Sequence, residues 1–229
     1  MNISSAYACC GSKDGVPRRS RASWESGLPR QAGWSARRPS WRRLRSRSKR
    51  WSASWISPGW STGLDLGDRP DWPRHDDPAG GSEGLITVLV ARRPRFGKVS
   101  ACGYLVDAYC LGVKNALGPE LMDERDLRGF VRRYFSTYHG DPVEAPIDLA
   151  REIVFGSVRY ARGLGFEPHP DFAAAAGHLG TWTGPGTISF GKDGKPLYVF
   201  GPYDDHRSVI RTLKRTVGRG NFEVLAITG

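Results

Sequence analysis

Apolar and polar positions follow a regular pattern only in the second part of the chain, from about residue 84. Residues 84–113 hold two long apolar runs separated by a basic segment at 94–98, and this pattern predicts two strands joined by a short turn. Residues 88–90 and the positions from Val99 onward are apolar on both faces of such a strand. We therefore expect the second strand to lie centrally in a sheet, where both of its faces are covered.

A further strand pattern occurs near the end of the chain. Two short apolar runs, 187–190 and 196–200, flank the sequence Lys-Asp-Gly-Lys at 192–195. Asp-Gly favours a tight turn between paired strands, so this segment predicts a β-hairpin. The apolar segment 221–227 predicts a closing strand.

Helical periodicity predicts three longer helices and one short one. Apolar residues three or four positions apart recur over residues 122–138, 146–163 and 203–218, and an alanine run follows Phe172. Asp123 is the predicted N-cap of the first long helix, Pro146 fits the first turn of the second, and Asp204 or Asp205 caps the third. The order of elements predicts one α+β domain, with a mostly antiparallel sheet packed with three or so helices.

The first 83 residues lack an apolar repeat at the period of a strand or of a helix. Before residue 81 the chain holds seven of its eight tryptophans but only seven aliphatic residues larger than alanine. Such a segment buries too little apolar area to offset the entropy of ordering it. We therefore predict a disordered tail rich in Arg, Trp, Ser and Pro over residues 1–83, and a single α+β domain over 84–229.

Positive charge is concentrated in this tail. Residues 1–60 hold 13 Lys or Arg against two acids, whereas residues 81–229 hold 19 against 16. Two interpretations are open for the tail: a nucleic-acid-binding arm, or an upstream extension that the cell does not translate. A membrane-surface segment is disfavoured, because the tail lacks a helical apolar stripe. The untranslated extension follows from the bias toward residues with GC-rich codons, and it would place the natural start between residues 60 and 85.

Targeting, cofactor and metal patterns are missing from the sequence. No signal peptide or membrane-spanning run occurs, so we expect a cytoplasmic protein without a membrane partner. No P-loop, GxGxxG, HExxH or GxSxG pattern occurs, and no cofactor is predicted. Cys102 and Cys110 are expected to be reduced and buried. Asp193, Asp204 and Asp205 are assigned to a turn and a helix cap rather than to a metal.

Three segments are distinctive enough to suggest a relationship. They are "GYLVDAYCLGVKNA", "YARGLGFEPHPDF" and "FGKDGKPLYVFGPYDD". Together they resemble segments of a widespread bacterial family of uncharacterised proteins, over about residues 86–227. The resemblance implies a bacterial, soluble domain, and it implies no activity.

Two residues are candidates for acid/base chemistry. Asp107 lies between Val106 and Ala108 in an apolar strand, and buried carboxylates have perturbed pKa values that are frequent at functional sites. His169 lies between two prolines that restrict its backbone, with Glu167 and Asp171 two positions away. The structural alternatives are a pairing of Asp107 with a base such as Lys114, and a proline-bounded loop that buries its phenylalanines.

Four basic residues recur at helical spacing in the last predicted helix. They are Arg207, Arg211, Lys214 and Arg215. One cationic helix face of this kind can follow the phosphates of a nucleic acid. The alternative is a solvated face whose charges suit the C-terminus of a helix.

These patterns lead to two functional hypotheses. The first is a non-enzymatic binding module with RNA, DNA or a ribonucleoprotein as partner, which contacts it through the basic helix face. The second is a hydrolase-like acid/base enzyme that uses Asp107 and His169 on a small polar substrate. The second requires both side chains to share one cleft, so whether the protein is an enzyme depends on the fold.

Overall fold

The structure is a computed structural model that describes residues 52–69, 71–76, 84–184 and 186–226. Within these residues it contains seven strands and four helices. The strands are β1 (Ser52–Ile56), β2 (Leu85–Arg95), β3 (Lys98–Asp107), β4 (Gly112–Asp123), β5 (Val143–Ala145), β6 (Leu197–Val199) and β7 (Glu223–Leu225). The helices are α1 (Leu127–Tyr134), α2 (Ile147–Gly163), α3 (Phe172–Leu179) and α4 (His206–Thr216).

Five of the strands form one antiparallel sheet, in the order β4-β3-β2-β1-β5. The predicted α+β class is confirmed. The strands β2 and β3 are joined by the turn at Phe96–Gly97, as the basic segment predicted, and β3 lies between β2 and β4. Helices cover both faces of β3, since Tyr104 packs with α2 and α3 and Ala101 packs with α1, and this explains why its sequence is apolar on both faces.

Each face of the sheet carries its own apolar cluster. Alternate residues of β2 point to opposite faces, so Val88 and Val90 pack with α2 and α3, whereas Leu89 and Ala91 pack with α1. The α2 and α3 cluster contains the apolar stripe of α2 that periodicity predicted, including Ala150, Val154 and Val158. A third cluster joins α4, β6 and the end of α2.

The strand β1 corrects the predicted boundary at residue 84. Its residues pair with β2 on one side and with β5 on the other, so β1 is an inner strand of the sheet. Side chains that follow it also belong to the core, namely Trp60, Leu64, Leu66 and Trp72. The compact unit runs over Arg50–Gly229. The prediction that residues 1–83 are disordered is therefore wrong for residues 52–69 and 71–76, and its remaining residues lie outside those that the structure describes.

The polar composition of β1 explains why its sequence gave no strand signal. Ser54 in β1 and Ser57 directly after β1 are buried, and their hydroxyl groups form hydrogen bonds where apolar side chains would otherwise pack. The Ser54 hydroxyl donates to the carbonyl of Ala145 at 2.7 Å, and the Ser57 hydroxyl accepts from the amide of Thr87 at 3.1 Å. Partners of this kind come from residues far along the chain, so a periodicity search cannot detect them.

The chain between β3 and α1 differs from the prediction. The strand β4 occupies Gly112–Asp123, whereas the predicted strands ended at residue 113, and α1 begins at Leu127 rather than near residue 122. Asp123 ends β4 and forms an ion pair with Lys98 at 2.7 Å, so it is not the N-cap of α1. Pairing with β3 stabilises an extended chain here and overrides the helical pattern.

The Asp-Gly turn forms, but the hairpin around it does not. Asp193 and Gly194 both have positive φ, 51° and 79°, as a type I′ turn requires, and an isolated bridge joins Lys192 to Lys195. Ser189 forms its bridge with Asp65, and β6 pairs with β7 in parallel.

None of the four helices in the described ranges has the length and the apolar composition that a membrane crossing requires.

Candidate functional site

The helix α4 presents the predicted cationic residues to solvent. Asp205 caps its first turn, because the carboxylate accepts from the amide of Ser208 at 3.1 Å. Leu213 is fully buried against β6 and the end of α2. The basic residues lie away from this contact, and all four are exposed: Arg207, Arg211, Lys214 and Arg215.

These four cations lie in a stretch of the chain without acids, which begins directly after Asp204 and Asp205. Between residues 206 and 222 the chain holds five basic residues and no acid. None of the four forms an ion pair with an acid in the ranges that the structure describes. The surface of α4 therefore keeps its positive charge available for an anionic partner.

A buried ion pair fixes the beginning of α4 to the sheet. The Lys114 ammonium donates to Asp204 Oδ2 at 2.8 Å, and both side chains are mostly buried, with 15% and 13% of their surface exposed. The same carboxylate accepts from the amide of Gly201 at 3.2 Å. The Tyr198 hydroxyl lies 2.7 Å from His206 Nδ1 in the first turn of the helix. These contacts orient α4 relative to β4 and β6.

Asp107 lies at the end of β3, within the same polar region. It exposes only 5% of its surface, and its Oδ1 accepts from the amides of Tyr109 at 3.0 Å and Cys110 at 2.9 Å. Burial raises the pKa of Asp107 to about 6, while the positive charge of Lys114 and the backbone amides oppose the rise. The carboxylate closes the turn between β3 and β4, which is a structural role.

Segments that lie far apart in sequence meet around this turn. Burial raises the pKa values of Cys110, Tyr160 and Tyr198, and the charge of Asp107 adds to each rise. The amide of His169 donates to the carbonyl of Val113 at 2.9 Å. The three sequence segments that suggested a bacterial family thus pack together, but the family itself stays a prediction.

The structure does not bring the side chains of Asp107 and His169 together. The His169 ring is 42% exposed, and its Nδ1 lies 3.3 Å from the amide and 3.5 Å from Oδ2 of Asp171. Asp107 is buried on the turn between β3 and β4, and no described contact joins the two residues. The acid/base hypothesis therefore lacks the common cleft that it needs.

The remaining sequence candidates have structural roles. Asp193 forms the tight turn, Asp205 caps α4, and Asp204 pairs with Lys114. Over the described ranges, no three His, Cys, Asp or Glu side chains are grouped closely enough to hold a metal ion. Cys102 and Cys110 are free and buried, as the sequence predicted.

Comparison with known proteins identifies no relative of this chain. No protein-family model matches the chain, no curated protein matches it, and no solved structure matches it. Function is therefore argued from the side chains and surfaces of this chain.

Proposed function

We propose that the chain is a non-enzymatic binding module and that α4 contacts the phosphate backbone of a nucleic acid. The observation that carries the proposal is the exposure of four cations on α4 without an acidic partner among the described residues. Phosphate contacts dominate the affinity of proteins for nucleic acids, and Lys and Arg supply most of them.

The dimensions of the helix support this proposal. Arg207 and Arg215 are eight residues apart, which corresponds to about 12 Å along a helix axis. A duplex carries one charge per about 1.7 Å of its axis, so a surface of this length faces several phosphates. The buried pair of Lys114 and Asp204 holds the beginning of the helix in place, so the cations need no large rearrangement on binding.

Salt dependence of binding tests the proposal. The affinity of the full chain for a duplex is measured over a range of salt concentrations, for the wild type and for Arg211→Gln/Arg215→Gln. The slope of log K against log salt is negative, and each lost phosphate contact reduces its magnitude by about 0.9. We therefore expect the slope of the double variant to be smaller in magnitude by nearly 2.

The control is Arg132→Gln/Arg133→Gln, which removes two exposed arginines from α1. It has the same net charge as the α4 variant, and both keep the basic residues of the first 51 positions. Equal slopes for the two variants would show that α4 is not the contact surface. An unchanged slope in both would assign any binding to the remainder of the chain.

A further inference from the structure

Two adjacent cavities lie along one face of α2. Their volumes are about 520 and 310 Å³, and they share Glu152, Trp182 and Gly186. The helix forms one wall of each cavity, and the segment before β6 forms the opposite wall. A volume of this size suits a small organic ligand.

Glu152 stands at the junction of the cavities and has acceptor capacity to spare. It is 5% exposed, and its two oxygens accept from Trp182 Nε1 at 2.9 Å and from the amide of Ile188 at 3.4 Å. Each carboxylate oxygen has two lone pairs, so one on each oxygen is left over. No base forms an ion pair with Glu152 in the part of the chain that the structure describes.

Aromatic rings form the sides of the larger cavity. Tyr160 and Phe190 both line it, and their rings stack with centroids 5.9 Å apart. Trp182 is held by a stack on Phe155 with centroids 6.0 Å apart. Rings fixed in this way favour a flat ligand that packs against them.

Glycines allow the backbone to pack closely against the Glu152 carboxylate and the Phe190 ring. A Cβ atom at Gly186 would overlap the Glu152 carboxylate, and one at Gly156 would lie 2.7 Å from the Phe190 ring. A Cβ atom at Gly163, which also lines the larger cavity, would meet no atom within 4 Å. Gly163 is exposed, so a side chain there can stand at the rim of the cavity without displacing the fold.

Arg159 supplies a second charge on the same wall. It is exposed, and no acid pairs with it among the described residues. Arg69 and Arg151, which line the smaller cavity, are paired with Asp71 and Asp148. Seven residues separate Glu152 from Arg159, which corresponds to two helical turns, or about 10 Å.

We propose that this cavity binds a guanine nucleotide, with N1–H and N2–H of the base on Glu152 and the phosphate at Arg159. The N1–H and N2–H groups of guanine are adjacent and neutral, and they match the free lone pair on each oxygen of Glu152. Adenine presents an acceptor at N1 and would face the carboxylate unfavourably. This site is independent of nucleic-acid binding by α4.

Calorimetric titration of the full chain with guanosine monophosphate tests the proposal. Adenosine monophosphate, guanosine and free arginine are titrated under the same conditions. We expect adenosine monophosphate to bind at least about tenfold more weakly, because a site built for donors rejects a ligand that lacks them. The basic residues outside the cavity do not distinguish the two monophosphates, so this ratio reports on the cavity.

Two variants locate the ligand. We expect Gly163→Leu to weaken binding of guanosine monophosphate about tenfold, because the new side chain narrows the rim of the cavity. Arg159→Gln should weaken the monophosphate about tenfold and leave guanosine unchanged, since it removes a charged partner of the phosphate. The matched control is Arg162→Gln on the same helix, whose side chain pairs with Glu167 at 2.8 Å and should leave both affinities unchanged.

Three results would overturn the proposal. These are no binding of guanosine monophosphate at millimolar concentration, equal affinity for both monophosphates, and binding of arginine in place of the nucleotide. Thermal unfolding of each variant shows whether it is folded. The α4 variant Arg211→Gln/Arg215→Gln should bind guanosine monophosphate like the wild type, so failure of one proposal leaves the other standing.

Discussion

At the scale of single residues, Asp107 and Glu152 are buried carboxylates that meet different donors. Glu152 lines both cavities and accepts from Trp182 and Ile188 of another segment, whereas Asp107 accepts from two backbone amides of its own turn. Asp107 lies in an apolar run and was singled out beforehand, whereas Glu152 directly follows Arg151 in an amphipathic helix and was not. An acid within an apolar run signals a buried charge, but the run does not reveal which donors reach it. Tertiary contacts decide whether such a group closes a turn or faces a ligand.

The raised pKa of Asp107 predicts a pH-dependent stability. Its folded-state pKa of about 6 lies above the ordinary value of 3.8, so the folded state binds the proton more tightly. This favours folding at low pH, and the advantage is lost as the pH rises through 6. We expect the contribution of Asp107 to the free energy of unfolding to fall by roughly 1 kcal/mol as the pH rises from about 5 to about 7.5.

Asp107→Asn should remove this pH-dependent contribution to stability and keep an oxygen that accepts from the two backbone amides. Denaturant unfolding of wild type and variant at both pH values measures the difference. Asp141→Asn is the control, because that side chain is exposed and forms no ion pair in the part of the chain that the structure describes. An identical pH dependence in wild type and Asp107→Asn would contradict the prediction.

The pair of Lys114 and Asp204 predicts a loss of stability on truncation. Lys114→Met leaves a mostly buried carboxylate without its cation, and we expect the free energy of unfolding to fall by about 2 kcal/mol or more. Lys195→Met removes the cation of an exposed pair with Glu223 and should change stability by less than about 1 kcal/mol. Chemical denaturation of both variants makes the comparison, and equal losses would refute it.

At the scale of elements, β1 shows how position in a sheet outweighs composition. Its five residues hold only one aliphatic side chain larger than alanine, yet both of its edges are paired. Without β1, β2 would lose one of its neighbours and β5 would have none. The opposite case is β4, whose helical sequence pattern near its end is overridden by pairing with β3.

Truncation tests the contribution of β1. A chain that begins at Arg50 retains the strand, and we expect it to unfold cooperatively like the full chain. A chain that begins at Gly59 keeps Trp60 and the later core residues but lacks β1, so we expect a loss of more than about 4 kcal/mol or no cooperative unfolding. Circular dichroism during thermal unfolding measures both.

Equal stability of the two truncated chains would contradict this prediction. If only the chain that contains β1 unfolds cooperatively, residues 52–56 belong to the folded domain, as their pairing with β2 and β5 indicates.

At the scale of the whole molecule, the two proposed sites use different parts of the compact unit. The basic face belongs to α4, and the cavity belongs to α2 and the segment before β6. The basic face was predictable because helical spacing alone puts its cations together. The cavity was not, because Glu152, Trp182 and Phe190 come together only when that segment folds against α2.

The sequence by itself determined the α+β class, the strands β2 and β3, the extents of α2 and α4, and the Asp-Gly turn. These features rest on local periodicity, capping and turn chemistry, which need no distant partner. Only the tertiary structure decided the inner position of β1, the pairing of β6 with β7 and the surroundings of Asp107, His169 and Glu152. Each of these depends on hydrogen bonds and packing between residues far apart along the chain, which no local pattern records.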